Sequence, residues 1–323
     1  MRSRFGAYDR PHRLKHASGS WRLTACVVWM LACGLPGTTA IAQSAGNNEV
    51  WDGLASSFAT PWQELLTKKY PDEWSNLLAG LSMNVAYTQA LQSSGGSPGA
   101  GDQGARGTTS TTQLGLRYNP LSYWFATATA YHYLRPSLQK SWDPDFTYSF
   151  GYDDWHPYTL SAVYGNYGGN RFSANAGEPR TRFEQGTLTL AYKFPLPKAL
   201  EPIFLIGNGD QVSCSVSYSW TPRYTDVQSV ARSNKQALGL GCRYTLASGW
   251  YVSGTAYHYL RPGQQQPWDP DFIYGFGYFD WHSDSVSIQY NNYSGNRFPW
   301  KARAANTGTF RAGSVTISWT HGW

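Results

Sequence analysis

From residue 80 onward, apolar and polar positions alternate with a period of two in one run after another. Leu81, Met83, Val85 and Tyr87 alternate with Ser82, Asn84, Ala86 and Thr88. Leu114, Leu116 and Tyr118 flank Gly115 and Arg117, and Phe146, Tyr148, Phe150 and Tyr152 oppose Thr147, Ser149 and Gly151. Leu188, Leu190, Tyr192 and Phe194 alternate with Thr187, Thr189, Ala191 and Lys193. Residues 212–220 are the cleanest run, with Val212, Cys214, Val216, Tyr218 and Trp220 set against four serines. Successive side chains of a strand point to opposite faces, so each run predicts a strand with one apolar and one polar face. Twelve are predicted, near 80–90, 112–119, 123–134, 145–153, 157–166, 185–195, 211–220, 236–245, 249–260, 271–279, 283–292 and 312–323. The connections alternate in kind. Those at 91–111, 135–144, 167–184, 221–235, 261–270 and 293–311 are long and polar. Those at 120–122, 154–156, 246–248 and 280–282 are tight, and 196–210 is the exception among them.

The chain also contains a copy of itself. Residues 131–172 recur at 257–298 at a constant offset of 126, with 27 of 42 positions identical. Self-similarity of this kind sets architecture before any single motif does. Six of the strands precede the 196–210 linker and six follow it, so the expected unit is half of the structure, 80–195 and then 211–323.

Two all-β architectures alternate in this way. A soluble sandwich turns its polar face outward, whereas the polar faces here are Ser, Thr and Gly with few charges, which suits a hydrated interior. The last run, SVTISWTHGW, puts Val315, Ile317, Trp319, His321 and the terminal Trp323 on one face. Here the chain resembles bacterial outer-membrane β-barrel proteins of the porin-like class, whose final strand ends in an aromatic residue read by the barrel-assembly machinery. The expected fold is therefore a twelve-stranded antiparallel transmembrane β-barrel built from two six-stranded repeats. A closed barrel leaves no edge strand and satisfies every backbone group, as lipid demands. An even strand count and long loops at one end fit this class, with both termini in the periplasm. Trp124 and Trp250, at strand ends, are expected in the interfacial girdles. The expected surroundings are the lipid bilayer and lipopolysaccharide, in the outer membrane of a Gram-negative bacterium.

The N-terminal residues differ in kind. Residues 1–22 carry six basic residues against Asp9, followed by the apolar run LTACVVWMLACGL and then Thr39-Ala40-Ile41-Ala42. This is the pattern of a secretory signal peptide over 1–42, with a lipoprotein signal at Cys33 as the lesser alternative. The whole chain holds 26 basic and 20 acidic residues. Six basic residues and one acid lie in that leader, so the remainder is close to neutral and carries no nucleic-acid signature. Residues 43–79, with Val50, Trp51, Leu54, Phe58, Trp62, Leu65 and Leu66 at roughly helical spacing, predict a short periplasmic helical segment. It is read as packing on the barrel rim, the sharper alternatives being a plug or a docking helix for a periplasmic partner. Cys214 and Cys242 share one face of neighbouring strands. A cross-strand disulfide is one outcome; neighbouring free thiols are the reading preferred here.

Candidate chemistry concentrates in the copied block and on the polar faces. Arg117 and Arg243 are repeat-equivalent and inward, and with Tyr131, Tyr133, Tyr257 and Tyr259 they are candidates for contact with a solute. Rings beside hydroxyls suit sugars, so passage of a saccharide or export of an exopolysaccharide is the expected role. The repeat-paired polar residues are Asp143, Asp145, Asp269, Asp271, His156, His282, Asn170, Arg171, Asn296 and Arg297. The W-D-P-D and N-R motifs fall in outer loops and D-W-H in tight turns. Two carboxylates fall short of the ligand count calcium needs, so Asp–Arg pairing that folds a loop is preferred to a metal site. A lipid-cleaving enzyme is the alternative function, with His156 near Ser161 and His282 near Ser283 or Ser285, but no compact signature supports it. A plugged structural or adhesive barrel is a further competitor. No cofactor is implied.

Overall fold

The computed structural model describes residues 80–91, 110–139, 143–197, 199–205, 207–280, 282–293, 295–301 and 309–323. The leader expected over 1–42 and the helical segment expected over 43–79 lie outside them. Twelve antiparallel strands form a closed barrel: β1 Leu81–Ala90, β2 Thr111–Tyr118, β3 Trp124–Tyr133, β4 Phe146–Asp153, β5 Leu160–Asn166, β6 Thr187–Pro195, β7 Gln211–Thr225, β8 Ala231–Thr245, β9 Trp250–Tyr259, β10 Phe272–Tyr278, β11 Ser285–Asn292 and β12 Ser314–Gly322. Each strand pairs with its sequence neighbours, and β1 pairs with β12 from Ser82↔Gly322 to Ala90↔Ser314. A short helix, α1 (Glu201–Phe204), lies in the linker between β6 and β7.

The registers carry the alternation around the whole circumference. Val85 sits opposite Leu114 and Trp319, Phe150 opposite Ala126 and Tyr164, and Leu240 opposite Val216 and Ala256. These positions face outward and, apart from Tyr164, which is buried beneath Phe183, remain uncovered; Leu240, Val252 and Val286 are each more than half exposed. The opposite face holds Ser82, Asn84 and Thr88 of β1, Thr127 and Thr129 of β3, Ser213 to Ser219 of β7, and Thr316, Ser318 and Thr320 of β12. Twelve strands spaced about 4.8 Å apart and tilted about 40° close into a ring about 24 Å across.

Two expectations need correction. The linker 221–235 is mostly strand: β7 and β8 continue their pairing to Thr225↔Ala231, beyond the last partners of β6 (at Trp220) and β9 (at Ala237). The hairpin thus projects about five residues, roughly 17 Å, past its neighbours. Asp226 closes it, accepting from the backbone N–H groups of Gln228 and Val230 at 2.9 Å each. No apolar period marks this extension, because its buried positions Thr221, Tyr224 and Asp226 are mostly polar. The second correction concerns the cysteines, which form a disulfide with Cα atoms 4.1 Å apart. The register places Cys214 directly opposite Cys242, at the close spacing of a non-hydrogen-bonded antiparallel pair.

Repeat-equivalent glycines carry a backbone requirement. Gly151 and Gly277 have φ of 153° and 159°. A Cβ on them would collide with the carbonyl oxygens of Ala162 and Ile288 on the adjacent strand.

Candidate functional site

The inward face defines a lumen whose charges are few. Arg117 lies on β2 between Ser82 of β1 and Thr127 of β3. Its Nε donates to Asn119 Oδ1 at 3.1 Å, and its guanidinium stands 4.3 Å from the centre of the Phe125 ring. Arg243 lies on β8 between Ser213 of β7 and Ser253 of β9, with its guanidinium 3.8 Å from the Tyr251 ring and 5.6 Å from Phe279. β2 and β8 are six places apart in the closed order of twelve, so these arginines stand on opposite walls. Sequence reasoning missed the other inward charges. Lys193 of β6 bonds Asp153 Oδ1 and the Asp154 carbonyl at 2.6 Å each, and Lys235 of β8 bonds both oxygens of Asp269 at 2.9 and 3.1 Å. Lys193 was visible as a charge on a polar face; its partner, 40 residues away, was not. Those two lysines are neutralised by carboxylates. Among the described residues, neither Arg117 nor Arg243 has a carboxylate at ion-pair distance.

The four tyrosines lie on the inward face at the other end of β3 and β9. Tyr131 shares a hydrogen bond with Thr147 at 3.2 Å, and the Tyr133 hydroxyl donates to the Pro144 carbonyl at 2.9 Å. The Tyr133 hydroxyl is thereby committed to a loop.

The copied polar residues hold the loops at that same end. Asp145 Oδ1 accepts from Gln139 Nε2 at 2.8 Å and Arg171 at 2.9 Å, and Oδ2 accepts from the Phe172 N–H at 3.0 Å. Asp271 repeats this with Gln265 at 2.8 Å, Lys301 at 2.7 Å and the Phe298 N–H at 3.2 Å, with Arg297 3.6 Å away. Burial pushes both carboxyls up, but the amide, backbone N–H and cationic donors outweigh it, so both stay below the ordinary carboxylate value. Asn170 and Asn296, both fully buried, donate to the carbonyls of Phe146 and Phe272 at 3.0 Å. Asp145 and Asp271 in turn donate backbone N–H bonds to Asn170 and Asn296 at 2.8 and 2.7 Å. Asp269 holds Lys235 and the Gln266 N–H, and the Asp143 carbonyl accepts from Gln139. Phe172 stacks on Phe146 and Phe298 on Phe272, each at 5.3 Å, which packs the two loops against the outer wall.

The D-W-H turns lie at the opposite end. His156 Nδ1 meets Asp154 at 2.7 Å and His282 Nδ1 meets Asp280 at 2.6 Å. Thr159 and Ser285 donate their hydroxyls to the carbonyls of His156 and His282 at 2.6 Å. The Ser285 hydroxyl is therefore spent on backbone and not aligned with an imidazole, and Ser283 bonds Asp284 and Gly322. No group of three or more His, Cys, Asp or Glu side chains is placed to hold a metal among the described residues. A cleft of about 980 Å³ lies between the projecting β7–β8 hairpin and residues 263–267, with Arg223, Tyr224, Arg232, Gln264 and Gln266 in its lining.

No protein-family model matches the chain, and no curated protein matches it. Among solved structures it is similar to a NanC porin, at 8% identity and a TM-score of 0.35 over 74% of this chain and 97% of that one. It is also similar to OmpF of Salmonella typhi (9% identity, TM-score 0.34, 75% of this chain and 97% of that one). A third similar structure is the COG4313 outer membrane channel of Pseudomonas putida F1, at 14% identity and a TM-score of 0.31 over 79% of this chain and 100% of that one.

Proposed function

We propose that this chain is a channel of the Gram-negative outer membrane, made of two six-stranded halves, that passes saccharides. The observation that carries the reading is the inverted polarity of the barrel. Apolar side chains such as Leu114, Leu240, Val252 and Val286 are exposed outward, while Ser, Thr and Gly line the inside. In water that outward belt is a large unfavourable apolar surface; in lipid it is the matching one. Trp124 and Trp250, exposed at strand starts, supply interfacial anchors. Both termini, with the tight turns, lie at the periplasmic end in this reading. Trp323, half exposed and bonded through its N–H to the Leu81 carbonyl, offers the terminal ring to the assembly machinery. Inward tyrosine rings and the amide- and guanidinium-lined cleft at the outer mouth support a saccharide as the solute. Lipopolysaccharide is the expected outer-leaflet neighbour, and residues 47–79 are the candidate docking segment for a periplasmic partner.

Purified protein in planar bilayers tests the channel, and liposome swelling in graded sugars tests the solute. Stepwise conductance and size-dependent sugar entry are expected. A folded barrel that conducts neither as the full chain nor with residues 43–79 removed overturns the reading.

A further inference from the structure

We infer that the loop 293–313, folded over the outside of the second half, binds the phosphorylated acyl anchor of lipopolysaccharide, lipid A, and that its counterpart 167–186 does not. This rests on the outer-membrane part of the reading above and not on an open lumen. Both loops leave the rim and turn down outside the barrel. Phe310 stacks on Tyr290 at 4.4 Å and Phe183 on Tyr164 at 4.3 Å, each tyrosine being an outward residue of its strand. The Tyr290 hydroxyl donates to the Phe310 carbonyl at 2.8 Å, and that of Tyr164 to the Phe183 carbonyl at 2.6 Å. In the second half the stack goes further: Phe298 lies on Phe272, and Trp300 lies nearly parallel on Phe298 at 4.4 Å.

Strand length says what these rings meet. A membrane strand needs about 9–11 residues. β10 has 7 and β11 has 8. The wall here falls short of the apolar band by about two residues, or about 5 Å. The stacked rings continue the apolar surface where the strands stop, with Trp300 73% exposed and Phe310 52%. The loop therefore lies where hydrocarbon gives way to head groups, the depth at which rings and cations are favoured together.

Charge separates the two loops. Residues 293–313 contain four cations and no acid, whereas 167–186 contain three arginines against Glu178 and Glu184. The residue after the stacked phenylalanine is Glu184 in one loop and Arg311 in the other. Glu184 stands 4.0 Å from Arg223. Arg311 is exposed and is in no ion pair among the described residues. Lys301, 48% exposed, shares the single carboxylate of Asp271 with Arg297, so positive charge is left over there as well. A guanidinium at this depth gives a phosphate paired N–H donors, and the exposed rings beside it receive acyl chains. A free phosphate ion offers only the first of these contacts; a phosphorylated lipid offers both.

The experiment is the affinity of lipid A for the purified full-length protein in neutral detergent micelles, read as bound lipid by native mass spectrometry. One lipid A per barrel is expected, held more tightly than its dephosphorylated form. A cation near a charged lipid surface is worth about fivefold, so R311Q should weaken binding about fivefold and R311E about 30-fold. E184R, which puts a cation at the matched position of the first half, should admit a second lipid A. Equal binding of the dephosphorylated lipid, R311E binding as wild type, or E184R holding only one lipid overturns the assignment. So does displacement by inorganic phosphate at the concentration of the lipid, which marks a site for the free ion. The comparison of the two lipids needs no variant and decides the matter even where R311E does not fold. A conducting barrel that binds both lipids alike overturns this site and leaves the channel standing. Preference for lipid A in a barrel that never conducts overturns the channel and leaves this site standing.

Discussion

The two copies of the loop clasp are each other's control, because they use the same carboxylate in different degrees of burial. Asp145 is 24% exposed and its Arg171 partner 26%, whereas Asp271 is fully buried with Lys301 and Arg297 both directed at it. Replacing either Asp by Asn keeps the shape, removes the charge and turns an amide NH2 toward donors. At Asp145 water reaches the vacated positions, so the loss should be about 1 kcal/mol. At Asp271 water cannot, and removing one partner of a buried ion pair costs about 3–5 kcal/mol. Lys301 is half exposed and swings to solvent, which reduces this to about 2–3 kcal/mol. The assay is hydrogen exchange of the amides the clasps protect, Gly295 and Phe298 in one and Phe172 in the other. Local opening energies convert directly into protection. D271N should therefore speed exchange at 295–298 by roughly 30- to 150-fold, and D145N should speed it at 171–172 by about fivefold. Equal acceleration in both loops, or none in D271N, refutes the argument that burial sets the worth of this carboxylate.

Acid should open the same loops. Both carboxyls are held below their ordinary value of 3.8 in the fold, so their stabilising contribution is complete above that value and is lost as pH falls through the lowered ones. Exchange at 295–298 should be flat from pH 7 to 5 after correction for the intrinsic rate and rise only below about 3.8; a rise between 7 and 5 contradicts it. Deleting the disulfide in C214S/C242S should cost at most about 3.5 kcal/mol, the loop-closure value for a separation of 28, and less because the hairpin already favours the pairing. Denaturant midpoints with and without the bond measure it, and an unchanged midpoint counts against it. G277A should cost upward of about 2 kcal/mol by forcing β10 and β11 apart, while G263A, where a Cβ meets nothing within 4 Å, should be neutral. Similar unfolding midpoints for the two would show the close approach to be unimportant.

How far the chain could be read in advance follows from what each residue answers to. Strand positions facing an apolar surround on one side and water on the other must alternate, and Val85, Leu116 or Ser217 announce their faces one residue at a time. Where that contrast ends, so does the signal: residues 221–235 are polar on both sides and looked like loop, although β7 and β8 run through them. Arg117 and Arg243 were legible because an arginine on the polar face of a run must point inward, and their offset of 126 made them a pair. Lys193 stood on the same kind of face, yet only barrel closure reveals that Asp153 cancels it. The disulfide needed the register, since a slip of one residue would part the two sulfurs. For Asp145 and Asp271, an acid and an arginine in one loop were readable; the Gln139 and Gln265 amides that complete each clasp were not, because Gln carries no charge to draw attention.

The position of the disulfide bears on how the protein is made. Cys214 and Cys242 share the outward face with Val216 and Leu240, the face that meets hydrocarbon once the barrel is in a membrane. Oxidants of thiols work in water, so in the channel reading the pair is most open to them while that face is still wet. On that reading β7 and β8 would reach the membrane already joined, their hairpin a piece that precedes the finished cylinder.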